Sequence, residues 1–410
     1  MTPGPADPAE SGSVVLVDPA MTGQPFKEAC RRRALPIVSL YTLDDALLSS
    51  YDRTYRQGDE RVVHAADAGE AARRLPPAVR AVIPTTEPSV ETGDALGELL
   101  ALPGNPVATS MARRSKSAMR ERAVRAGLRI PRFEIASRRD VAAAARRTGF
   151  PAIAKPQRGA GAHGVVVLSD ADSAGQLVRQ DLFGGTNENW LVEEYIRGRE
   201  IAVNGFSEGG RHRVLDMWEY RQPNDADYDQ PYWDLVHLTP EDPDWAAAER
   251  FVLEALDAYQ VQLGPSHTEI KIDRSGPCLI ELASRLPGAH MTDHWTLHSA
   301  IRPYDDTLSA YLGESTGLLT KDLSFDASLG ICCLRNEDRP GVLVEMRGLD
   351  GLRAMPGVDA VIPSYAPGDF VPVTRDLGSL TAFVLVHGRD AEERDTLLRT
   401  VRHSVRLELK

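Results

Sequence analysis

Lysine is scarce in this chain of 410 residues: of 47 basic side chains only six are Lys (27, 116, 155, 271, 321 and 410), leaving 41 Arg. Where arginine serves almost every exposed charge, each lysine is a position to question. Cysteine is also sparse, and the four (Cys30, Cys278, Cys332 and Cys333) are distant or adjacent, never in C-x-x-C spacing. That pattern suits neither a cysteine zinc site nor a disulfide framework. Excess positive charge is absent, because 59 acidic residues give a net charge of −12, which argues against a nucleic-acid partner. Long apolar runs are missing too, so no membrane span is expected. The opening MTPGPADPAESGS has neither a basic nor an apolar segment of a signal peptide. It reads as a disordered polar tail (1–13), and a cytoplasmic location is expected.

What is present alternates. The run VVLVD, a helical stretch from Gln24 to Ala34 and PIVSLY form a β-α-β opening, and VRAVIP followed by TTEPSVETGDALGELLAL repeats it. Residues 14–108 therefore read as a Rossmann-like parallel-sheet domain. It has no G-x-G-x-x-G, so a dinucleotide has no seat there. LPGNPVATS marks a boundary, and Met111 to Ala126 then reads as a basic helix closed by Gly127. Residues 109–320 alternate strands and helices as a second α/β (α+β) domain, and 321–410 read as a mostly β extension. Residues 220–244, polar and punctuated by proline, read as a long functional loop.

Four strings carry chemistry. In PAIAKPQRGAGAHGVVVL, Lys155 ends an apolar strand and Gly159, Gly161, His163 and Gly164 follow before another strand. Glycine backbone and a compact ammonium describe a phosphate clamp shaped as a hairpin flap, though an ordinary Gly-rich hairpin fits the same string. WLVEEYIRGRE runs a strand into Glu193, Glu194, Ile196 and Glu200, where extended backbone can pair with an adenine edge and a carboxylate can accept from ribose hydroxyls. Surface glutamates on an edge strand fit it equally.

The third string, SHTEIKIDRSGPCLIELASRLPG, holds two strands around the turn DRSGP. Centring that hairpin on Ser275 sets Asp273 against Pro277, Lys271 against Leu279, and Glu269 against Glu281. Opposed carboxylates are unfavourable unless a cation joins them, and an oxygen-only pair suits Mg²⁺ or Mn²⁺. A register slipped by one would separate them. Arg285 follows close by, its guanidinium able to hold a carboxylate or an acyl phosphate. The fourth string is SMARRSKSAMRERAVRAGLRIP, where Lys116 sits among arginines.

In this order the strings resemble the ATP-grasp superfamily of carboxylate–amine ligases over roughly residues 81–300. The stretch VIPTTEPSVETGDALGELLALPGNPVATSMARRSKSAMRERAVRAGLRIP and the hairpin SHTEIKIDRSGPCLIELASRLPG are similar to its L-amino-acid ligase (dipeptide synthetase) branch. The resemblance implies an ATP-grasp fold and an ADP-forming ligase that joins amino acids, or a small carboxylic acid and an amine, through an acyl phosphate. It implies Lys116, Lys155 and the Gly159–Gly164 flap on the ATP phosphates, with Glu193, Glu194 and Ile196 at the adenine and Glu200 at the ribose. Glu269 and Glu281 would hold Mg²⁺ or Mn²⁺, and Arg285 would steady the acyl phosphate. Many members carry Asn two residues after the second metal carboxylate, where this chain has Ala283, so one or two metals stay open. A homodimer fits the family.

Glu87, Tyr232, Trp233, His290, Asp293 and His294 are substrate candidates from segments flanking these motifs. Lys271 lies near the metal hairpin without a role, and Lys27, Lys321 and Lys410 read as surface. A thiol or phosphate acceptor, a non-catalytic nucleotide sensor and a two-carboxylate metal hydrolase are the alternatives.

Overall fold

A computed structural model describes residues 12–157, 164–179, 189–222 and 232–410. Residues 1–11 of the polar tail and three of the flap residues (Gly159, Gly161 and His163) lie outside them, while Ser13, expected in the tail, opens the first strand. The first sheet is parallel: β1 (Ser13–Val17), β2 (Ile37–Tyr41), β3 (Arg61–His64) and β4 (Val79–Pro84), in the order β3-β2-β1-β4. Its inner strands β1 and β2 are buried because helices cross over between the strands, and Val14, Leu16 and Phe26 pack with Trp295, Leu308 and Tyr311 from late in the chain.

The second sheet holds β5 (Phe133–Ala136), β6 (Ala152–Pro156), β7 (Val166–Leu168) and β8 (Trp190–Glu194), in the order β5-β8-β6-β7. β6 and β7 are antiparallel, with Ala154 opposite Val166, so the Gly-rich segment joins a hairpin. The expected basic helix starts later than its composition implied. A short 3-10 turn (Met111–Arg113) precedes the helix Lys116–Ala126, which ends at Gly127 with φ +71°. Lys116 is thereby the first helical residue.

The third sheet has eight strands, among them β9 (Arg199–Glu208), β10 (Arg211–Arg221), β11 (Asp234–Leu238), β12 (Leu263–Asp273), β13 (Gly276–Ala283) and β14 (Ser328–Leu334). Of the later strands β15 (Gly341–Arg347), β16 (Val358–Pro363), β17 (Phe370–Val371), β18 (Ala382–Gly388) and β19 (Arg406–Leu409), β16 and β18 also belong to it. Its order is β13-β12-β9-β10-β11-β14-β18-β16, while β17-β15-β19 form a small separate sheet. One expectation changes here. The segment 220–244 is not all loop, since DLVHL is the buried strand β11 between β10 and β14. In the mostly β extension, β14 hydrogen-bonds to β11 and carries the sheet past residue 321. Among the described residues no helix is long and apolar enough to cross a membrane.

Candidate active site

The β12–β13 hairpin turns through Arg274 and Ser275, one half-step from the expected centre, so that Asp273 pairs with Gly276, Lys271 with Cys278 and Ile270 with Leu279. That register alone would set Glu269 against Ile280. A bulge on β13 leaves Ile280 unpaired, and Glu269 stands opposite Glu281. Both side chains are about four-fifths buried, with 21% and 20% exposure. Burial, reinforced by Glu87 and Glu269, pushes the Glu281 carboxyl up despite Lys116, whose Nζ lies 3.2 Å from Glu281 Oε1. Burial also pushes Glu269 up, but His267, Arg285 and Lys116 outweigh it and hold that carboxyl below its ordinary range. Two oxygen donors with unequal proton affinity fit a hard divalent cation.

Arg285, just beyond β13, donates through Nη2 to Glu87 Oε2 at 2.9 Å, and Arg114 donates to Glu87 Oε1 at 3.0 Å. Glu87 is 4% exposed. Burial raises its pKa, but Arg285, Lys116 and Arg114 more than offset it, so Glu87 stays ionised and clamps the Arg285 fork.

Beneath lies a second buried group. Glu193 accepts from Arg120 on one oxygen, and Lys155 Nζ is 2.5 Å from the other. One carboxylate serves two cations. It is held down to about 2, because Arg120 and Lys155 outweigh burial, whereas burial lowers Lys155 and the nearby Arg120 and Lys116 lower it further. Glu193 is 2% exposed, and its carboxylate is taken up by these two cations, which leaves its strand backbone as what it can offer an adenine. A lysine with a depressed pKa and only half of one carboxylate is suited to an incoming phosphate.

Other candidates separate by strand geometry. Glu200 lies opposite Lys271 across β9 and β12, with Nζ 3.3 Å from Oε2, which supplies a partner for that lysine. Glu194 binds Arg132 at the surface, and Ile196 is buried. Gly164, at φ +74°, supplies the left-handed backbone that ends the flap. Tyr232 packs on Tyr220 with ring centroids 4.0 Å apart, and the Tyr220 hydroxyl donates to Glu269 Oε1 at 3.3 Å. Trp233, the next residue, holds its ring against the guanidinium groups of Arg335 and Arg402 of the C-terminal unit. His290 and Asp293 pair with each other at 2.8 Å, and His294 is fully buried against the Gly330 carbonyl, so it presents nothing to a substrate. Lys27 is not at the surface: 1% exposed, it holds Asp59 at 2.6 Å in the first sheet's periphery.

His267 was missed. It shares a face of β12 with Glu269 and Lys271 by two-residue alternation, stands opposite Ala283, and brings Nε2 to 3.6 Å from Glu269 Oε1. The alternation in HTEIK was the available signal. Arg120 was missed as well, because in the sequence it is one arginine among many.

Carboxylates opposed across a hairpin, a flap strand ending in lysine and a helix-start lysine define an ATP-grasp architecture. Residues 148–293 match the ATP-grasp domain model, and residues 337–410 match the model described as L-amino acid ligase C-terminal domain 2. Dapdiamide A synthase of Enterobacter agglomerans is 24% identical over 288 residues, 67% of this chain and 67% of that protein. The L-arginine-specific L-amino acid ligase of Bacillus subtilis is 22% identical over 298 residues, 71% of this chain and 70% of that one. The crystal structure of L-amino acid ligase from Bacillus licheniformis superposes with a TM-score of 0.80 at 19% identity, covering 98% of this chain and 100% of that one. The chain thus carries an ATP-grasp domain followed by an L-amino acid ligase C-terminal domain 2.

Proposed function

We propose that this protein is an ADP-forming ligase that joins two amino acids, or a small carboxylic acid and an amine, through an amide bond. The observation that carries the reading is the juxtaposition of the opposed pair Glu269 and Glu281 with Arg285, itself held by Glu87. A carboxylate oxygen of the first substrate attacks the γ-phosphorus of ATP, and ADP leaves. The amine of the second substrate attacks the resulting acyl carbon, loses a proton, and expels inorganic phosphate.

Each group has a place in that sequence. Lys155 and Lys116 offset charge on the nucleotide phosphates, Lys155 leaving its shared position on Glu193 to do so. Glu200 and the backbone beyond Glu194 receive ribose and adenine. Glu269 and Glu281 would hold Mg²⁺ or Mn²⁺, which when bound neutralises phosphate oxygens during transfer. His267 and Tyr220 orient Glu269. Arg285 binds the acyl phosphate and the oxyanion that forms when the amine adds. Tyr232, on Tyr220, borders the substrate space.

The test is a screen of acid and amine pairs with ATP and Mg²⁺, reading ADP, AMP and product mass. ADP release that requires both an acid and an amine, with a product lighter than their sum by one water, is expected. AMP as the nucleotide product overturns the acyl-phosphate route, and turnover with a thiol in place of the amine overturns the amide reading.

A further inference from the structure

Away from the carboxylate pair, a group of imidazoles and carboxylates ties the helix Met291–His298 to the C-terminal strands. His294 and His298, four residues apart, project from one side of that helix towards Asp359 on β16. One ring nitrogen from each histidine and one Asp359 oxygen all lie within 4.8 Å of one another.

Hydrogen bonding settles what each nitrogen offers. His294 Nε2 lies 3.1 Å from the carbonyl oxygen of Gly330, which can only accept, so Nε2 carries the proton and Nδ1 carries a lone pair. Nδ1 is buried, has no hydrogen-bond partner, and lies 3.9 Å from Asp359 Oδ2, another lone-pair atom. Two acceptors facing each other in a dry interior call for a cation between them. His298 Nε2 approaches the same Oδ2 at 2.9 Å, while its Nδ1 is 2.8 Å from Asp326 Oδ1. His387 Nδ1 is 2.8 Å from the other Asp359 oxygen.

We propose that His294, His298 and Asp359 bind a late first-row divalent cation, Zn²⁺ foremost, as a site separate from the ATP-dependent centre. Each ligand already has the outer partner such a site uses: a backbone carbonyl for His294, a carboxylate for His298, and an imidazole N–H for Asp359. Zinc–ligand bonds of about 2.0–2.1 Å in a tetrahedron set donors about 3.3 Å apart, a spacing bracketed by the observed 2.9 and 3.9 Å edges. Two imidazoles and one carboxylate favour zinc over magnesium, and three donors leave a fourth position for water. The ion would clip the helix following Arg285 to β16, with His294 stacked on the buried Trp218 at 5.6 Å behind it.

The experiment uses full-length protein without a polyhistidine tag, stripped with a chelator and held in excess Mg²⁺. Titration with Co²⁺ alone is expected to give the visible absorption of tetrahedral cobalt, saturating at one equivalent and displaced by one equivalent of Zn²⁺, and Zn²⁺ is expected to raise Tm. His298→Gln should lose the cobalt band, and Glu281→Gln, which alters the other centre, should keep it. No band in the wild-type protein overturns the proposal whatever the variants do. So does a band lost in Glu281→Gln and kept in His298→Gln. A Tm that follows pH but ignores Zn²⁺ would make the cluster a proton-held ion pair and refute it.

Discussion

Glu269 faces Glu281 because Ile280, between Leu279 and Glu281, takes no partner on β12. One extra residue converts a tip register that would bury one carboxylate on the wrong face into a site that presents both. Like charges kept opposed in an interior are held there for a ligand, since the fold gains nothing from them.

Glu281→Gln keeps the side-chain shape and removes one negative charge. ADP release is expected to fall by about 10²–10³-fold, the range for deleting one electrostatic contributor to a transition state. Urea unfolding of the nucleotide-free protein should shift by no more than about 1 kcal/mol, because the lost repulsion from Glu269 and Glu87 offsets the lost pairing with Lys116. A coupled ADP assay and a urea titration check the two halves.

Arg285→Lys retains the charge and loses the fork. With Glu87 and Arg114 still in place, kcat is expected to drop about 10²-fold while the KM for ATP stays near the wild-type value, since Arg285 acts on the acyl group. A rise in the KM for ATP with unchanged kcat would place Arg285 on the nucleotide.

Arg120 is fully buried on Glu193 and on the Ile280 carbonyl, 2.7 Å from its Nη2. Arg120→Met leaves that carbonyl and half of the carboxylate uncompensated, and a loss of about 3–5 kcal/mol is expected by chemical denaturation. Lys155 would then be drawn more firmly to Glu193, so the KM for ATP in the folded fraction should rise.

His237 on β11 is buried between Trp218 and Phe325, and neither ring nitrogen has a hydrogen-bond partner. Burial first, with His294 and Arg394 adding, pushes its pKa down to about 3. Between pH 6.5 and 3 the unfolded chain therefore binds a proton that the folded chain refuses, and stability falls as pH is lowered through that window. Asp216, pushed up to about 6 by burial, acts in the opposite sense between pH 6 and 4. His237→Phe removes only the first effect, so its urea midpoint should decline less between pH 7 and 4.5 than that of the wild type.

Much of this was legible in the residues. Alternating strands and helices announced the parallel sheet, and the scarcity of lysine singled out Lys116 and Lys155, which lie within the buried electrostatic network of the site. Lys271 gained a reason only in three dimensions, where Glu200 lies across from it. Lys27 misled the same argument, because a lysine can be buried for structure when an aspartate 32 positions on folds back to it. The Ile280 bulge was illegible, since an unpaired residue leaves no mark on hydrophobic alternation. So was the cluster of His294, His298 and Asp359, because Asp359 lies 61 and 65 positions beyond the two histidines and meets them only where strands from the C-terminal unit join the central sheet.

The seam where β14 pairs with β11 has a practical consequence for cutting this protein into pieces. Every residue of β11 is buried, and β14 satisfies its outer edge. Truncation before residue 321 would bare an apolar strand edge, the template for intermolecular pairing and aggregation. The nucleotide-binding portion is therefore no transplantable cassette. Chimeras that exchange tails between relatives must match strand register at this seam before they can alter which substrates are joined.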